Sequence, residues 1–365
     1  MTQTIRKIII TGTHLTPAIE LIRQLKSDSK NNWKIYYVGR ESNSNDIQQS
    51  AIESKIIPSL GVEFHSIPCG KYDRRYLPNT ILGTPKTIIG IFKSFFLVKK
   101  IKPDIVVSFG GYVSVPVIIS SWLLKIKSIT HEQTLTNSLT TKINSLFVNK
   151  VALSFENQKQ INQLPKNKVA ITGNLLRYEL FQKPKNPKII TNKLLANKPI
   201  VYITAGNQGS HAINLVLKQT LPKLSQFNII HQTGTNDYPK FKLLANKYKN
   251  YYVSDYFTTQ DFAWIIQHSD IFISRSGANT TQEIIAFNKK SVLIPLPKSQ
   301  QSEQLLNALF VKKELPQQTV IIDQNNLTSK SLLESLDLLK NVKKLSNSKD
   351  YQPNQKLFSL INEII

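Results

Sequence analysis

The chain has 365 residues, 41% of them hydrophobic and 19% charged, which excludes a disordered polymer and predicts two cores rather than one. A single cysteine, Cys69, excludes a disulfide framework and any multi-cysteine metal centre, and fits a reducing compartment. The net charge of +24 is read either as a field that attracts polyanions or as compositional bias toward lysine, because only seven of the 47 basic residues are arginines. Bias accounts for most of the total. Arginine is the side chain suited to bidentate phosphate recognition, and Arg74, Arg75, Arg177 and Arg275 stand in segments that attract attention on other grounds.

The opening stretch, MTQTIRKIII, runs into an apolar strand without a leader-cleavage pattern, so a cytoplasmic protein is the expectation. Lys7–Thr11 reads as a buried strand, Pro17–Gln24 as a helix, Lys34–Val38 as a strand and Ile105–Ser108 as another, followed by a helix near Pro116–Leu124. The uncharged run from Ile105 to Leu124 has the length of a membrane span. Ser108, Gly110, Gly111, Ser114 and Pro116 divide it into strand, turn and helix, so no span is expected. Ser128–Thr130 and Val151–Leu153 continue the strand series. The pattern restarts with Ile200–Thr204, a polar loop and a helix from Ala212, then strands at Asn228–Gln232, Tyr251–Val253, Ile271–Ser274 and Ser291–Pro295, with a helix at Thr280–Phe287. Such alternation indicates two doubly wound parallel-sheet α/β domains of the Rossmann-like kind. The divisions are 1–177, a Lys-, Pro- and Asn-rich linker at 178–198, a second domain at 199–350 and an amphipathic C-terminal helix within 351–365.

Ligands of such sheets bind at the carboxyl ends of the strands, so the loops there carry the search. Thr11-Gly12-Thr13-His14 closes the first strand; its small residues let amides approach an anion at a helix start, and His14 could serve as a general base. A plain turn with a surface histidine is the alternative. Gly110-Gly111-Tyr112 closes the Ile105 strand, where paired glycines fit either a tight turn or close approach of a ligand. His131-Glu132-Gln133 puts three polar side chains after another strand. In the second half, Gly206-Asn207-Gln208-Gly209 has the composition of a phosphate cradle without the lysine of a P-loop. Arg275-Ser276-Gly277-Ala278 precedes a helix that carries Glu283, placed to accept ribose hydroxyls or else a solvated helix carboxylate. Gln304 and Asn307 share one helical face and could read a sugar's hydroxyls. No Asp-x-Asp pair occurs, and the six histidines are scattered, so no metal site is expected.

At these loops the chain resembles the MurG family of peptidoglycan-precursor N-acetylglucosaminyltransferases. The resemblance runs in order through Lys102–Gln133, Thr172-Gly173-Asn174 with Arg177, Ile230–Gly234, Arg275–Glu283, and Gln304 with Asn307-Ala308. It departs in the first loop, where the family usually has Gly-Gly-Thr-Gly-Gly-His and this chain the shorter Thr11-Gly12-Thr13-His14. It also departs at Asn207, where Ser is usual, at Thr134, where Asn is, and at Leu175, where Pro is common.

The resemblance implies a GT-B fold, with an acceptor domain, a donor domain, a central cleft and a C-terminal helix that crosses back to the first domain. It implies inverting transfer of N-acetylglucosamine from UDP-N-acetylglucosamine to the 4-hydroxyl of undecaprenyl-linked N-acetylmuramyl-pentapeptide, with no cofactor and no essential metal. The donor set is then Arg177, Asn207, Gln208, Gly209, Arg275, Gly277, Ala278, Glu283, Gln304 and Asn307, with Tyr256 and Phe257 as a wall beside uracil. The acceptor set is Thr11, Gly12, Thr13, Gly110, Gly111, Tyr112, His131, Glu132 and Gln133, and His14 is the expected base. A polyprenyl acceptor calls for docking on an anionic membrane at the cytoplasmic face. Gly70–Leu77 and Ile88–Lys102, where Phe92, Phe95 and Phe96 alternate with lysines, have the composition for it, although core packing explains the phenylalanines equally well. The alternatives are a related transferase with another lipid acceptor, a UDP-sugar epimerase, and a catalytically weakened cell-wall scaffold. A nucleic-acid-binding protein is not expected, since no recognised module accompanies the charge.

Overall fold

A computed structural model of the chain describes residues 4–40, 42–43, 46–70, 77–185, 187, 194–195, 197–206, 208–297, 302–343 and 355–365, with backbone alone at 42–43, 46–50 and 77–84. Asn207, Arg74 and Arg75, and residues 71–76 of the expected docking stretch, lie outside the described residues. The chain divides into two compact units, Met1–Leu176 with Gln352–Ile365, and Arg177–Tyr351.

Unit 1 runs β1 (Thr4–Gly12), α1 (Leu15–Lys26), β2 (Asn31–Gly39), β3 (Ser42–Asn43), β4 (Asp46–Ser50), α2 (Ile52–Ser59), β5 (Glu63–Ser66) and α3 (Leu77–Ile101). It continues with β6 (Ile105–Phe109), α4 (Ser114–Leu123), β7 (Lys127–Glu132), α5 (Leu139–Phe147), β8 (Lys150–Leu153), α6 (Gln158–Ile161) and β9 (Val169–Ile171). Seven strands form one sheet in the order β5-β2-β1-β6-β7-β8-β9, every neighbouring pair parallel. Unit 2 runs β10 (Ile200–Thr204), α7 (His211–Thr220), β11 (Asn228–Gln232), α8 (Tyr238–Ala245), β12 (Tyr251–Ser254), α9 (Thr259–His268), β13 (Ile271–Ser274) and α10 (Ala278–Ala286). Then come β14 (Lys290–Leu293), α11 (Glu303–Glu314), β15 (Thr319–Ile321) and α12 (Ser329–Asn341), and α13 (Gln355–Ile364) returns to unit 1. The second sheet has the order β12-β11-β10-β13-β14-β15, again all parallel.

The strand sequences explain why both sheets are covered on two faces. Ile8, Ile9 and Ile10 are consecutive and all fully buried, because alternate side chains enter different cores: Ile8 and Ile10 one, Ile9 the other. Val201 and Ile203 face one core of unit 2 while Tyr202 faces its second. Helices cover these faces with stripes at helical spacing; in α1 the buried stripe is Ala18, Leu21, Ile22 and Leu25. α9 begins with a capping box in which Thr258 and Asp261 satisfy each other's backbone amides.

The stretch read as a linker starts as part of unit 2. Tyr178–Phe181 is a 3-10 turn with Leu180 fully buried, and Gln267 Nε2 donates to the carbonyls of Leu180 and Gln182 at 2.8 and 2.7 Å. The uncharged run Ile105–Leu124 is β6, a loop and α4, and among the described residues no helix is long and apolar enough to cross a membrane.

Helix α13 inserts Leu357, Leu360 and Ile361 into the unit 1 core that holds Ile8 and Leu21. Ile361→Ala should therefore destabilise unit 1 by about 2–5 kcal/mol. Urea unfolding followed through Trp33 and Trp122 checks this, and a loss below about 1 kcal/mol would show that α13 is dispensable to the unit.

Candidate functional site

In each sheet the strand order reverses once, between β1 and β6 and between β10 and β13, and such reversals open a crevice at the carboxyl ends. In unit 1 the loops after β1 and β6 meet there. Thr13 N donates to the Gly110 carbonyl at 3.2 Å, and Gly111, at φ +76°, lies so near Thr13 that a Cβ would stand 2.2 Å from its hydroxyl. His14 is exposed, with Nδ1 2.7 Å from the Phe109 carbonyl. A carbonyl only accepts, so Nδ1 carries the proton and Nε2 is left as the basic nitrogen. Thr11, Gly12, Thr13, Gly110, Gly111 and Tyr112 are thus gathered around His14 by chain geometry alone.

His131, Glu132 and Gln133 do not stand in an open loop. His131 and Glu132 end β7, and all three are at most 5% exposed. Nε2 of His131 donates to the Gly173 carbonyl at 3.0 Å, and burial pushes the imidazole pKa down to about 4, so the ring is neutral. Its Nδ1, the side-chain amide of Gln133 and the hydroxyl of Thr11 are buried without protein partners, a set of polar groups for a hydroxylated ligand or water to satisfy. Glu132 is spent internally. Its carboxylate accepts from Thr134 N and Oγ1, Ser138 N and Thr141 Oγ1 at 3.2, 2.9, 3.0 and 2.6 Å, which fixes the loop ahead of α5. The expected acceptor contact from Glu132 is therefore replaced by a role in shaping the loop.

In unit 2 the loop after β10 is pressed onto the loop after β11. Gly209, at φ +71°, sits where a Cβ would be 1.9 Å from the Thr233 carbonyl, and Gly234 meets Gln208 in the same way. Asn214 on α7 donates to that Thr233 carbonyl at 3.1 Å and to Asp237 at 2.8 Å, and Asp237 also accepts from His211 at 3.0 Å. This brace was not anticipated. Its signal is a polar Asn214 on the helical face that also carries Ile213 and Leu217 inward.

Arg275 ties four segments together: it donates to the carbonyls of Ile294 and Pro295, to Ser210 Oγ and to Gln324. Its terminal nitrogens are thus bonded within unit 2, whereas the resemblance implies a place around nucleoside and diphosphate. Gln304 likewise accepts from the Leu296 amide at 2.9 Å. Gly277 caps α10 with open space where a Cβ would be, and Ala278 begins the helix, so their amides are accessible. Ser274 Oγ, Asn279 Oδ1 and Asn307 Oδ1 are buried without partners at this end of the sheet; Asn307 Nδ2 is bound to the Ser276 carbonyl.

Arg177 and Glu283 pair at 2.8 Å, Glu283 almost wholly buried and Arg177 29% exposed, with the guanidinium 4.7 Å from the Phe262 ring centroid. Burial lifts the Glu283 carboxyl above its ordinary range while Arg177 pulls it back. The expected aromatic wall is divided. Tyr256 is 51% exposed, whereas Phe257 is 5% exposed and packs on Tyr202 and Tyr252 in the core. Adjacent residues of a turn need not share a face. Among the described residues no cluster of His, Cys, Asp or Glu could hold a metal ion.

Two parallel sheets with small-residue loops at each reversal point define a class, and comparison with known proteins names it. Residues 8–153 match the glycosyltransferase family 28 N-terminal domain and residues 200–363 its C-terminal domain. The chain is a glycosyltransferase of GT-B fold. It is 36% identical over 342 residues to the UDP-N-acetylglucosamine–N-acetylmuramyl-(pentapeptide) pyrophosphoryl-undecaprenol N-acetylglucosamine transferase of Borreliella afzelii (strain PKo), which covers 93% of this chain and 88% of that protein. It is 32% identical over 356 residues to the enzyme of the same name from Clostridium tetani (strain Massachusetts / E88), with 94% of both chains covered. Its fold superposes on the crystal structure of Acinetobacter baumannii MurG with a TM-score of 0.72 at 21% identity, covering 98% of this chain and 99% of that one. The UDP-GlcNAc 2-epimerase of Neisseria meningitidis shares the fold at a TM-score of 0.65 and 14% identity, with 98% of this chain and 99% of that one covered. The chain belongs to the MurG family.

The buried neutral His131 gives unit 1 a pH dependence. Its folded pKa, about 4, lies below the ordinary 6.5, so the unfolded chain binds more protons between these values. Stability carried by this group is full above about pH 6.5 and lost as the pH falls toward 4. His131→Asn should flatten the fall in urea midpoint between pH 7 and 4.5, read through Trp33 and Trp122, and an unchanged slope would reject this origin.

Proposed function

We propose that the chain transfers N-acetylglucosamine from UDP-N-acetylglucosamine to the 4-hydroxyl of undecaprenyl-linked N-acetylmuramyl-pentapeptide, inverting the anomeric centre. Family membership supports the donor and acceptor classes. The observation that carries the chemistry is the bond from Nδ1 of the exposed His14 to the Phe109 carbonyl, which assigns the proton of the neutral ring to Nδ1 and makes Nε2 its basic nitrogen.

On this reading His14 Nε2 takes the proton of the attacking hydroxyl as the hydroxyl oxygen bonds to the anomeric carbon. The sugar–phosphate bond breaks and its electron pair leaves with UDP. The negative charge that develops on the diphosphate is met by Arg177 and by the amides of Gln208, Gly277 and Ala278. Arg275 holds Ser210 beside the first of these loops, and the Gln304 carbonyl holds Ser276 beside the second. Glu283 and Asn307 offer acceptors to ribose and sugar hydroxyls, and Tyr256 offers a face for the base. No cofactor or essential metal enters this scheme. His131 Nδ1, Gln133 and Thr11 are the acceptor-side polar groups.

The lipid tail of the acceptor calls for a membrane surface, and α3 supplies one. Ile88, Ile89, Phe92 and Phe96 are 50–65% exposed along one side, with Lys93, Lys99 and Lys100 on the same helix. The opposite side is buried through Thr87, Ser94 and Val98, and Gly90 lets the helix close on the Pro68 carbonyl. Large apolar side chains held out beside lysines suit the headgroup region of an anionic bilayer. On this reading the protein is peripheral to the cytoplasmic face of the plasma membrane and takes no nucleic acid.

Incubation with labelled UDP-N-acetylglucosamine and the lipid-linked muramyl-pentapeptide should yield the β-linked disaccharide lipid, and no product from the wild-type protein rejects the reading. His14→Ala should lower turnover by ~10²–10⁴ with the donor dissociation constant unchanged; a loss below about threefold removes His14 from the role of base. In flotation with anionic vesicles the wild type should rise with the lipid and Phe92→Ser/Phe96→Ser should stay behind. Absence of wild-type binding at both low and high salt ends the docking proposal.

A further inference from the structure

Arg40 is one of only seven arginines in the chain, and none of the roles above uses it. It directly follows β2, which lies beside β1 in the sheet, so it stands at the carboxyl edge next to the reversal point. Among the described residues the loops after β1, β6, β7 and β8 of this sheet hold no Lys or Arg, so Arg40 is the guanidinium nearest in the sheet order to the reversal point. Its side chain is 26% exposed, and its Nε donates to Glu53 Oε1 at 2.7 Å, Glu53 itself being 4% exposed. It also hydrogen-bonds the Tyr112 side chain. Tyr112 in turn is anchored at its main chain, where its carbonyl accepts from Cys69 Sγ at 3.2 Å. Burial works against the Arg40 charge, and Tyr112 and Glu53 outweigh it.

This is the construction of an oriented guanidinium. A buried carboxylate on Nε sets the plane of the fork, and a tyrosine of the glycine loop sets its position relative to that loop. A guanidinium carries five N–H donors, more than these two partners use. The planar fork matches phosphate oxygens bidentately, which a lysine does not. Under the reading above, the acceptor sugar is attached to its lipid through a diphosphate, and that group must be met on the acceptor side.

We infer that Arg40, held by Glu53 and Tyr112, binds the diphosphate of the lipid-linked acceptor beside the Gly110-Gly111-Tyr112 loop. The identity of the anion rests on the proposed reaction; the anion site itself does not.

The test is direct binding followed by kinetics. Inorganic pyrophosphate is titrated calorimetrically into protein saturated with UDP, so that the donor loops are occupied. The wild type should bind, and Arg40→Met/Glu53→Gln, which removes both charges without leaving a buried carboxylate alone, should bind on the order of tenfold more weakly. Arg40→Lys should recover only part of the loss. In the transfer assay the double variant should raise the acceptor KM by a similar factor and leave the donor KM within about twofold. With a muramyl acceptor that lacks the diphosphate, the variant and the wild type should have equal KM, an equality that a general loss of structure would not produce. Pyrophosphate binding that is absent in the wild type, or unchanged in the folded double variant, overturns the inference. Arginine-dependent binding in a protein that makes no disaccharide lipid would instead sustain the anion site and reject the proposed reaction.

Discussion

Backbone lies against backbone at the carboxyl ends of both sheets, and only the absence of a side chain permits it. Gly12 would drive a Cβ into the Phe109–Gly110 main chain, and Gly209 would drive one into the Thr233 carbonyl. Each contact welds the loop of the first strand of its unit to the loop of a neighbouring strand. Small residues at these positions are therefore required for packing before any ligand is considered. The functional gain follows from the packing: once side chains are excluded, main-chain amides and carbonyls form the floor of the crevice. In unit 1 a carbonyl of that floor, Phe109, also fixes the His14 tautomer. A bulkier loop would displace both at once.

Around these floors, polar side chains divide into those that hold and those that are held ready. Arg275, Gln304, Glu132 and the Asn214–Asp237–His211 brace have their polar atoms engaged within the protein. Thr11, His131, Gln133, Ser274, Asn279 and Asn307 each keep a buried polar atom without a protein partner. An unpaired buried polar group costs about 1–3 kcal/mol, and a ligand or water that reaches these atoms would relieve that cost. The two sets are interleaved in sequence: Arg275 and Asn279 are four residues apart, and Glu132 lies between His131 and Gln133.

That interleaving limits what the sequence discloses. Strands such as Ile8–Ile10 and Ile271–Ile273 are legible because doubly covered parallel strands are continuously apolar. The placement of the loops follows from strand–helix alternation, so every candidate segment falls at a carboxyl end. Periodicity is silent about the direction a loop side chain takes. Tyr256 and Phe257 are equally aromatic and adjacent, yet one is exposed and the other is core. Arg275 and Arg177 are equally cationic, yet the first is spent on carbonyls and hydroxyls and the second pairs with Glu283. Helices α5, α8 and α12 are hard to read because Asn, Lys and Ser interrupt their apolar stripes, and boundaries such as those of α5 and α12 rest on the caps Ser138 and Thr328. Arg40 carries no motif at all; its only sequence signal is the scarcity of arginine.

Two histidines of unit 1 use one device for different ends. Each commits one ring nitrogen to a main-chain carbonyl, His14 to Phe109 and His131 to Gly173, and each presents its other nitrogen on the opposite side of the ring. Exposure then separates them. His14 is open to solvent, whereas burial holds His131 neutral with its pKa near 4, so its Nδ1 can only accept a hydrogen bond. Unit 2 offers helix-start amides at Gly277 and Ala278, and the Arg177 guanidinium beside Glu283. Under the proposed function, proton acceptance falls to groups of one sheet and stabilisation of negative charge to groups of the other. A reaction that removes a hydroxyl proton while a diphosphate departs needs both kinds of group, and the duplicated fold allows each sheet's loops to be shaped for one of them.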